Sequence, residues 1–165
     1  MFKIAEILDD CVEILEEEGL PIPDVSFTKT SEFYSFTDRR SRIAIGWGVR
    51  FVTMLGSDRL RHTVLHELLH ILFTRYAPTE AVRRVFGDRA AWSAPQKMWN
   101  AWRLRADGCV SRYAHTHPEE DFVETAAFML EGGSLSGKKA RAVEQWFEEV
   151  RGAEYLKEGE LQEVS

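Results

Sequence analysis

The feature that most constrains this chain is the segment TVLHELLH, residues 63–70, which places three ionisable side chains inside an apolar helical pattern. Two imidazoles and a carboxylate are costly in a protein interior unless a positive species binds them. The segment therefore predicts a buried helix that carries a metal ion. The apolar stripe of this helix is complete without the polar residues, since it is supplied by Leu65, Leu68, Leu69, Leu72 and Phe73.

The spacing of the polar residues indicates what each can do. Helix residues four apart lie on one face with Cβ atoms about 5–6 Å apart, so His66 and His70 can direct ring nitrogens at one tetrahedral zinc ion. Glu67 is offset by about 100°, which places it beside a zinc-activated water rather than among the ligands. It can take a proton from that water as general base and deliver it to a leaving amine. His62 lies about 12 Å from His70 along the axis, so the two cannot share one ion.

Charge and cysteine content exclude several classes of protein. A net charge of -6 argues against general affinity for nucleic acid or an anionic membrane. Acids in the opening MFKIAEILDD argue against a secretory signal, and no segment reaches the roughly 18 apolar residues of a membrane span. We therefore expect a soluble, cytoplasmic protein with no membrane partner. Cys11 and Cys109 lack CxxC spacing, which predicts two reduced thiols, with Cys11 in a helix core.

Local patterns predict a single α+β domain over residues 1–152, followed by an acidic, flexible tail over 153–165. Short β-prone runs between residues 24 and 53 predict three or four strands of a small, mainly antiparallel sheet. Apolar periodicity, capping residues and Gly or Pro stop signals predict helices near 3–18, 58–76, 80–86, 95–105, 118–131 and 136–150.

A third zinc ligand is expected from SRYAHTHPEEDFVETAAF, residues 111–128, because a catalytic zinc usually keeps three protein ligands and one open position. Glu120 and Glu124 share one face of the predicted helix, and apolar neighbours make an unpaired Glu124 expensive. His115 and His117 are rival ligands. In the plainer interpretation His117 caps the helix and His115 is solvated.

HELLH followed by a tyrosine and then HPEEDFVETAAF resembles the gluzincin metallopeptidases. The likeness is to the minimal bacterial domains called putative zinc-binding metallopeptidases, and to the lethal-factor-type catalytic domain. It implies a zincin-like fold with one zinc per chain, Glu120 as third ligand, Glu124 orienting a zinc-bound histidine, and Tyr113 steadying the oxyanion. Glu120 is favoured over either histidine because a helix holds it and Glu124 can support it.

The function predicted from these motifs is zinc-dependent hydrolysis of peptide bonds in a peptide or protein substrate. The resemblance and the chain position suggest that strand SRIAIGWG, 41–48, receives the substrate backbone by edge pairing, although ordinary sheet packing explains its side chains as well. Residues 81–118 carry seven Lys or Arg against two Asp, interleaved with tryptophan. A solvated helix surface is favoured there over nucleic-acid binding. Two alternatives are a DNA-associated or repressor-cleaving regulatory metalloprotease and a non-catalytic zinc-stabilised interaction module. The oligomeric state is not predicted.

Overall fold

The computed structural model describes residues 4–29, 36–38, 41–45, 58–94 and 109–163. The chain divides into two compact units, Met1–Ala77 and Pro78–Ser165, and each is described by itself. The boundary predicted between residues 152 and 153 stays a prediction. Within the described residues, no helix has both the length and the apolar character needed to cross a bilayer.

The first unit begins with helix α1, Ile4–Glu17, which agrees with the predicted 3–18. Its apolar stripe is buried at Ile7, Cys11 and Leu15, which confirms the prediction that Cys11 is a core residue. Gly19 ends the helix in the left-handed region at φ 64°, where a glycine has no Cβ to clash. The amides of Gly19 and Leu20 then satisfy the last free carbonyls, donating to Glu16 and Leu15 at 2.9 and 2.8 Å.

Three short strands form the sheet of this unit: β1, Ser26–Lys29, β2, Phe36–Thr37, and β3, Arg42–Ile45. Their spatial order is β1-β3-β2. Strands β1 and β3 pair in parallel over four residues, whereas the two residues of β2 pair antiparallel to β3. The prediction of a mainly antiparallel sheet is therefore wrong. Strand β2 occupies one side of β3 in the antiparallel direction, and β1 occupies the other side in the parallel direction.

Strand β3 is the central strand of the described sheet, paired on both sides at Ile43 and Ala44. The expectation that strand 41–48 receives the substrate backbone by edge pairing is thus wrong at Ile43 and Ala44, which are paired on both sides. Ile43 is fully buried, as ordinary sheet packing requires. Residues 46–53, which complete the β-prone stretch predicted from the sequence, lie outside the described residues.

Helix α2, Asp58–Arg75, carries the HELLH segment and confirms the predicted bounds within one residue. Every residue from Val64 to Phe73 is buried, so the middle of the helix is enclosed on all its faces. Helix α1 packs against α2, and the Cys11 thiol lies 3.6 Å from the carbonyl oxygen of Arg61. The polar residues of HELLH are therefore held in an apolar interior.

The second unit is helical in its described part. It contains α3, Glu80–Phe86, α4, Arg89–Ser93, a 3-10 turn, Ala114–Thr116, α5, Pro118–Leu130, and α6, Lys138–Glu163. Helices α3 and α5 match their predictions, whereas α4 was not predicted. The helix expected at 95–105 lies outside the described residues. Helix α6 runs well past the predicted end near 150. Its last stretch keeps strong helix formers such as Leu156, Lys157 and Glu158, which outweigh single glycines.

An aromatic cluster forms the core of the second unit. The ring centroid of Phe122 on α5 lies 5.0 Å from the ring centroids of both Phe86 on α3 and Trp146 on α6, in edge-to-face arrangements. Such pairs stabilise a core by about 1 kcal/mol beyond their area burial. The cluster fixes α5 between α3 and α6, so the residues of its first turn have a rigid support.

Candidate metal centre

The two histidines of α2 converge as their spacing predicts. The Nε2 atoms of His66 and His70 lie 3.1 Å apart, with the rings edge to face at 76°. Both side chains are buried, at 6% and 4% exposure. The prediction that successive turns direct these ring nitrogens at one point is therefore confirmed.

This separation suits a metal ion. Two nitrogens bound to tetrahedral zinc at about 2.05 Å lie about 3.3 Å apart. The same distance also suits an N–H···N hydrogen bond, in which one ring donates to the lone pair of the other. A bound metal would use the Nε2 lone pair of both rings, with the ring proton of each neutral histidine on Nδ1. The donor set of two imidazoles therefore fits zinc, which favours nitrogen and carboxylate ligands.

Glu67 lies next to His66 on α2 and is also buried, at 6% exposure. Its immediate helical neighbours Leu65 and Leu68 are almost completely buried. A carboxylate in such surroundings is expensive to ionise unless positive charge lies near it. His62, one turn before His66, is only half-buried, and its ring centroid is 6.4 Å from that of His66. The buried polar set of α2 is thus the HELLH triad.

The predicted ligand helix, α5, begins with a cluster of buried acids. Pro118 is its first residue, and Glu119, Glu120 and Asp121 follow, each with at most 7% exposure. The amide groups at a helix N-terminus stabilise negative charge there. His117 caps this end, since its Nδ1 accepts a hydrogen bond from the Glu119 amide at 3.1 Å. The interpretation of His117 as a cap is confirmed.

Lys139 on α6 contacts the same turn of α5. Its Nζ lies 2.5 Å from Asp121 Oδ2 in a buried ion pair and 3.5 Å from the Cys109 thiol. Burial raises the pKa of Asp121 and outweighs the opposing effect of Lys139. Burial also raises the pKa of Cys109, and the charge of Asp121 adds to that rise. Sequence reasoning missed this ion pair, because no local pattern links residues 18 positions apart.

The remaining predicted site residues lie on or just before α5. Glu124 is buried, one helical turn after Glu120. His115 is half-buried within the 3-10 turn. Tyr113 precedes that turn and is 44% exposed. The described side chains that could ligate a metal ion include His66 and His70 in the first unit and Glu120 and Glu124 in the second.

Comparison with known proteins agrees with this chemistry. The family described as "Putative zinc-binding metallo-peptidase" matches residues 34–144, about two thirds of the chain, including HELLH and all of α5. No curated protein and no solved structure gives a significant match. The chain therefore belongs to the putative zinc-binding metallo-peptidase family.

Proposed function

We propose that this protein is a zinc metallopeptidase of the gluzincin type, similar to the lethal-factor-type catalytic domain. The observation that carries the proposal is the convergence of the His66 and His70 Nε2 atoms at 3.1 Å on a buried helix that also holds Glu67. Membership of a zinc-binding metallo-peptidase family supports it. His66, His70 and Glu120 are the proposed ligands of one zinc ion.

Glu120 is the proposed third ligand because it is a buried carboxylate on a helix that is fixed at its first turn. The His117 cap and the Asp121–Lys139 ion pair hold that turn from two sides. Two neutral imidazoles and one carboxylate would leave the bound ion with a net positive charge. That charge and an open fourth position characterise catalytic rather than structural zinc sites.

His117 is a poor rival for this role. A neutral imidazole that accepts through Nδ1 carries its proton on Nε2, so that second nitrogen has no lone pair for a metal. Ligation by either nitrogen would therefore break the cap of α5. Half-buried His115 stays a rival ligand and is tested below.

Zinc, when bound, would supply a Lewis acid that lowers the pKa of a water and polarises the substrate carbonyl. Glu67 is the proposed general base, taking the proton of the attacking water and passing it to the leaving amine. Tyr113 is the proposed hydrogen-bond donor to the developing oxyanion. Glu124 is the proposed acceptor for the second ring N–H of a ligand histidine, which would fix its tautomer.

Metal content tests the ligand set directly. We expect elemental analysis of protein purified without added metal to find about one zinc per chain in the wild type and much less in Glu120→Ala. Glu119→Ala is the matched control, since it removes a neighbouring buried carboxylate from the same turn. Equal zinc in Glu120→Ala and wild type, with loss in His115→Ala, would transfer the ligand role to His115.

A further inference from the structure

A polar cleft lies on the second unit, and its lining includes no residue of α2. It has a volume of about 240 Å³ and is lined by residues of α3 and α4 and the turn between them, namely Glu80, Arg83, Gly87, Arg89, Trp92 and Ser93. The sequence motif that it contains, arginine interleaved with tryptophan, has no role in the proposed hydrolysis.

The charge of the cleft is positive. Its one acid, Glu80, lies 3.3 Å from the Arg84 guanidinium, one turn along α3, so its charge is already matched. Arg89 is exposed and has no ion-pair partner among the described residues. The Arg89 guanidinium is therefore open to a ligand, and Arg83 adds positive charge to the same cleft. Guanidinium groups bind carboxylates in a planar, two-bonded geometry, which gives direction as well as charge.

The wall of the cleft is rigid. The Trp92 indole nitrogen donates to the carbonyl oxygens of Arg83 and Gly87, at 3.0 and 3.1 Å. The Arg83 guanidinium carbon lies over the indole ring at 5.3 Å from its centroid, while Arg83 Nε donates to the Pro78 carbonyl oxygen at 3.1 Å. These contacts fix the Arg83 side chain in place, so a ligand meets a group that loses little conformational entropy on binding.

The cleft is built on the start of the proposed ligand helix. The ring of Trp92 lies edge to face with His117, the α5 cap, at 6.1 Å between centroids. Gly87 packs so closely on Pro118 that a Cβ added there would lie 3.0 Å from Pro118 Cγ. A ligand bound in the cleft would therefore contact residues that pack against the start of α5, the helix that carries Glu120.

We propose that this cleft docks an acidic segment of the peptide substrate, with Arg89 as its carboxylate-binding group and Arg83 adding positive charge beside it. The inference rests on the proposed function and names a substrate class for it. Single-stranded nucleic acid fits less well, because it binds by stacking bases on accessible aromatic faces. Here Arg83 covers one face of Trp92.

Binding is tested without cleavage in a Glu67→Gln background, with a fluorescent eight-residue peptide that contains four glutamates and a matched peptide with four glutamines. We expect the glutamate peptide to bind more tightly, and its affinity to fall as NaCl rises. Arg89→Gln should weaken that binding about fivefold and Arg89→Glu more than tenfold. Arg141→Gln removes an exposed charge from α6, outside the cleft, and should change nothing.

Two outcomes would overturn the docking site: equal weakening by Arg89→Gln and Arg141→Gln, or a twelve-residue oligothymidine that binds more tightly than the glutamate peptide. Activity is a separate readout, in which zinc-loaded wild type should show a lower KM for peptides with an acidic extension and an unchanged kcat. Specific binding without any hydrolysis by wild type would leave the docking site standing and remove the proposed function.

Discussion

The HELLH residues illustrate what sequence spacing can determine at the scale of single side chains. Helical geometry alone requires His66 and His70 to share a face, and their nitrogens meet at 3.1 Å. The burial of Glu67 also follows from the apolar stripe around it. By contrast, Glu120, Glu124 and Tyr113 lie in a segment far from HELLH in the sequence. No local pattern specifies where that segment lies in the fold. Those roles stay proposals.

Glu67→Gln tests the proposed base. The amide keeps nearly the same shape but cannot accept the proton of the attacking water, so we expect hydrolysis to fall by at least about a hundredfold. Zinc content should stay at the wild-type level, because Glu67 is not a proposed ligand. Peptide turnover and elemental analysis on the same preparation measure both quantities, and turnover that survives the substitution would remove Glu67 from its role.

His117→Ala tests whether His117 acts as a helix cap or as a metal ligand. Loss of the Nδ1 acceptor leaves the Glu119 amide without its cap, which should lower the free energy of unfolding by about 1 kcal/mol. Urea denaturation measures that loss, and His117→Asn should recover part of it, since asparagine is a good cap. Zinc should remain bound in both variants. Zinc loss in both would mean that this ring ligates the metal.

At the scale of elements, local signals located most of the helices. Helices α1, α2, α3 and α5 begin and end within one or two residues of their predicted bounds, because caps, proline and glycine act locally. Strand direction was not predictable in the same way, since period-two alternation is identical in parallel and antiparallel sheets. The parallel β1–β3 pairing is a contact between separate segments, which no local pattern specifies.

The ion pair between α5 and α6 should stabilise the second unit. Lys139→Met leaves Asp121 buried without its cation, and we expect the free energy of unfolding to fall by about 3 kcal/mol. The double variant Asp121→Asn/Lys139→Met removes both charges and should recover much of that loss. Chemical denaturation of the two variants makes the comparison. A double variant as unstable as Lys139→Met would point to lost packing by the lysine stem instead.

At the scale of the whole molecule, each unit has an apolar core of its own. The first unit buries the stripe of α1 and the middle of α2, and the second buries the Phe86, Phe122 and Trp146 cluster. Composition and length predicted such a core, and the apolar side chains that form it bind no metal. Each unit therefore has an apolar source of stability besides any bound zinc.

Removal of the metal should therefore abolish activity without unfolding the chain. After chelation we expect unchanged far-ultraviolet circular dichroism and a lower Tm, since a bound ion present at 100 times its Kd contributes about 2.7 kcal/mol. Added zinc should restore both Tm and peptide hydrolysis. Loss of helical signal on chelation would instead favour the zinc-stabilised interaction module.

The unbroken burial of α2 from Val64 to Phe73 has a consequence for how slowly its backbone amides exchange with solvent. Backbone amides in the middle of an enclosed helix exchange their protons with solvent only when a large part of the surrounding structure opens. The amides of HELLH thus belong with the slowest-exchanging protons of the first unit. The two converging histidines sit on backbone that fraying at the ends of α2 does not reach.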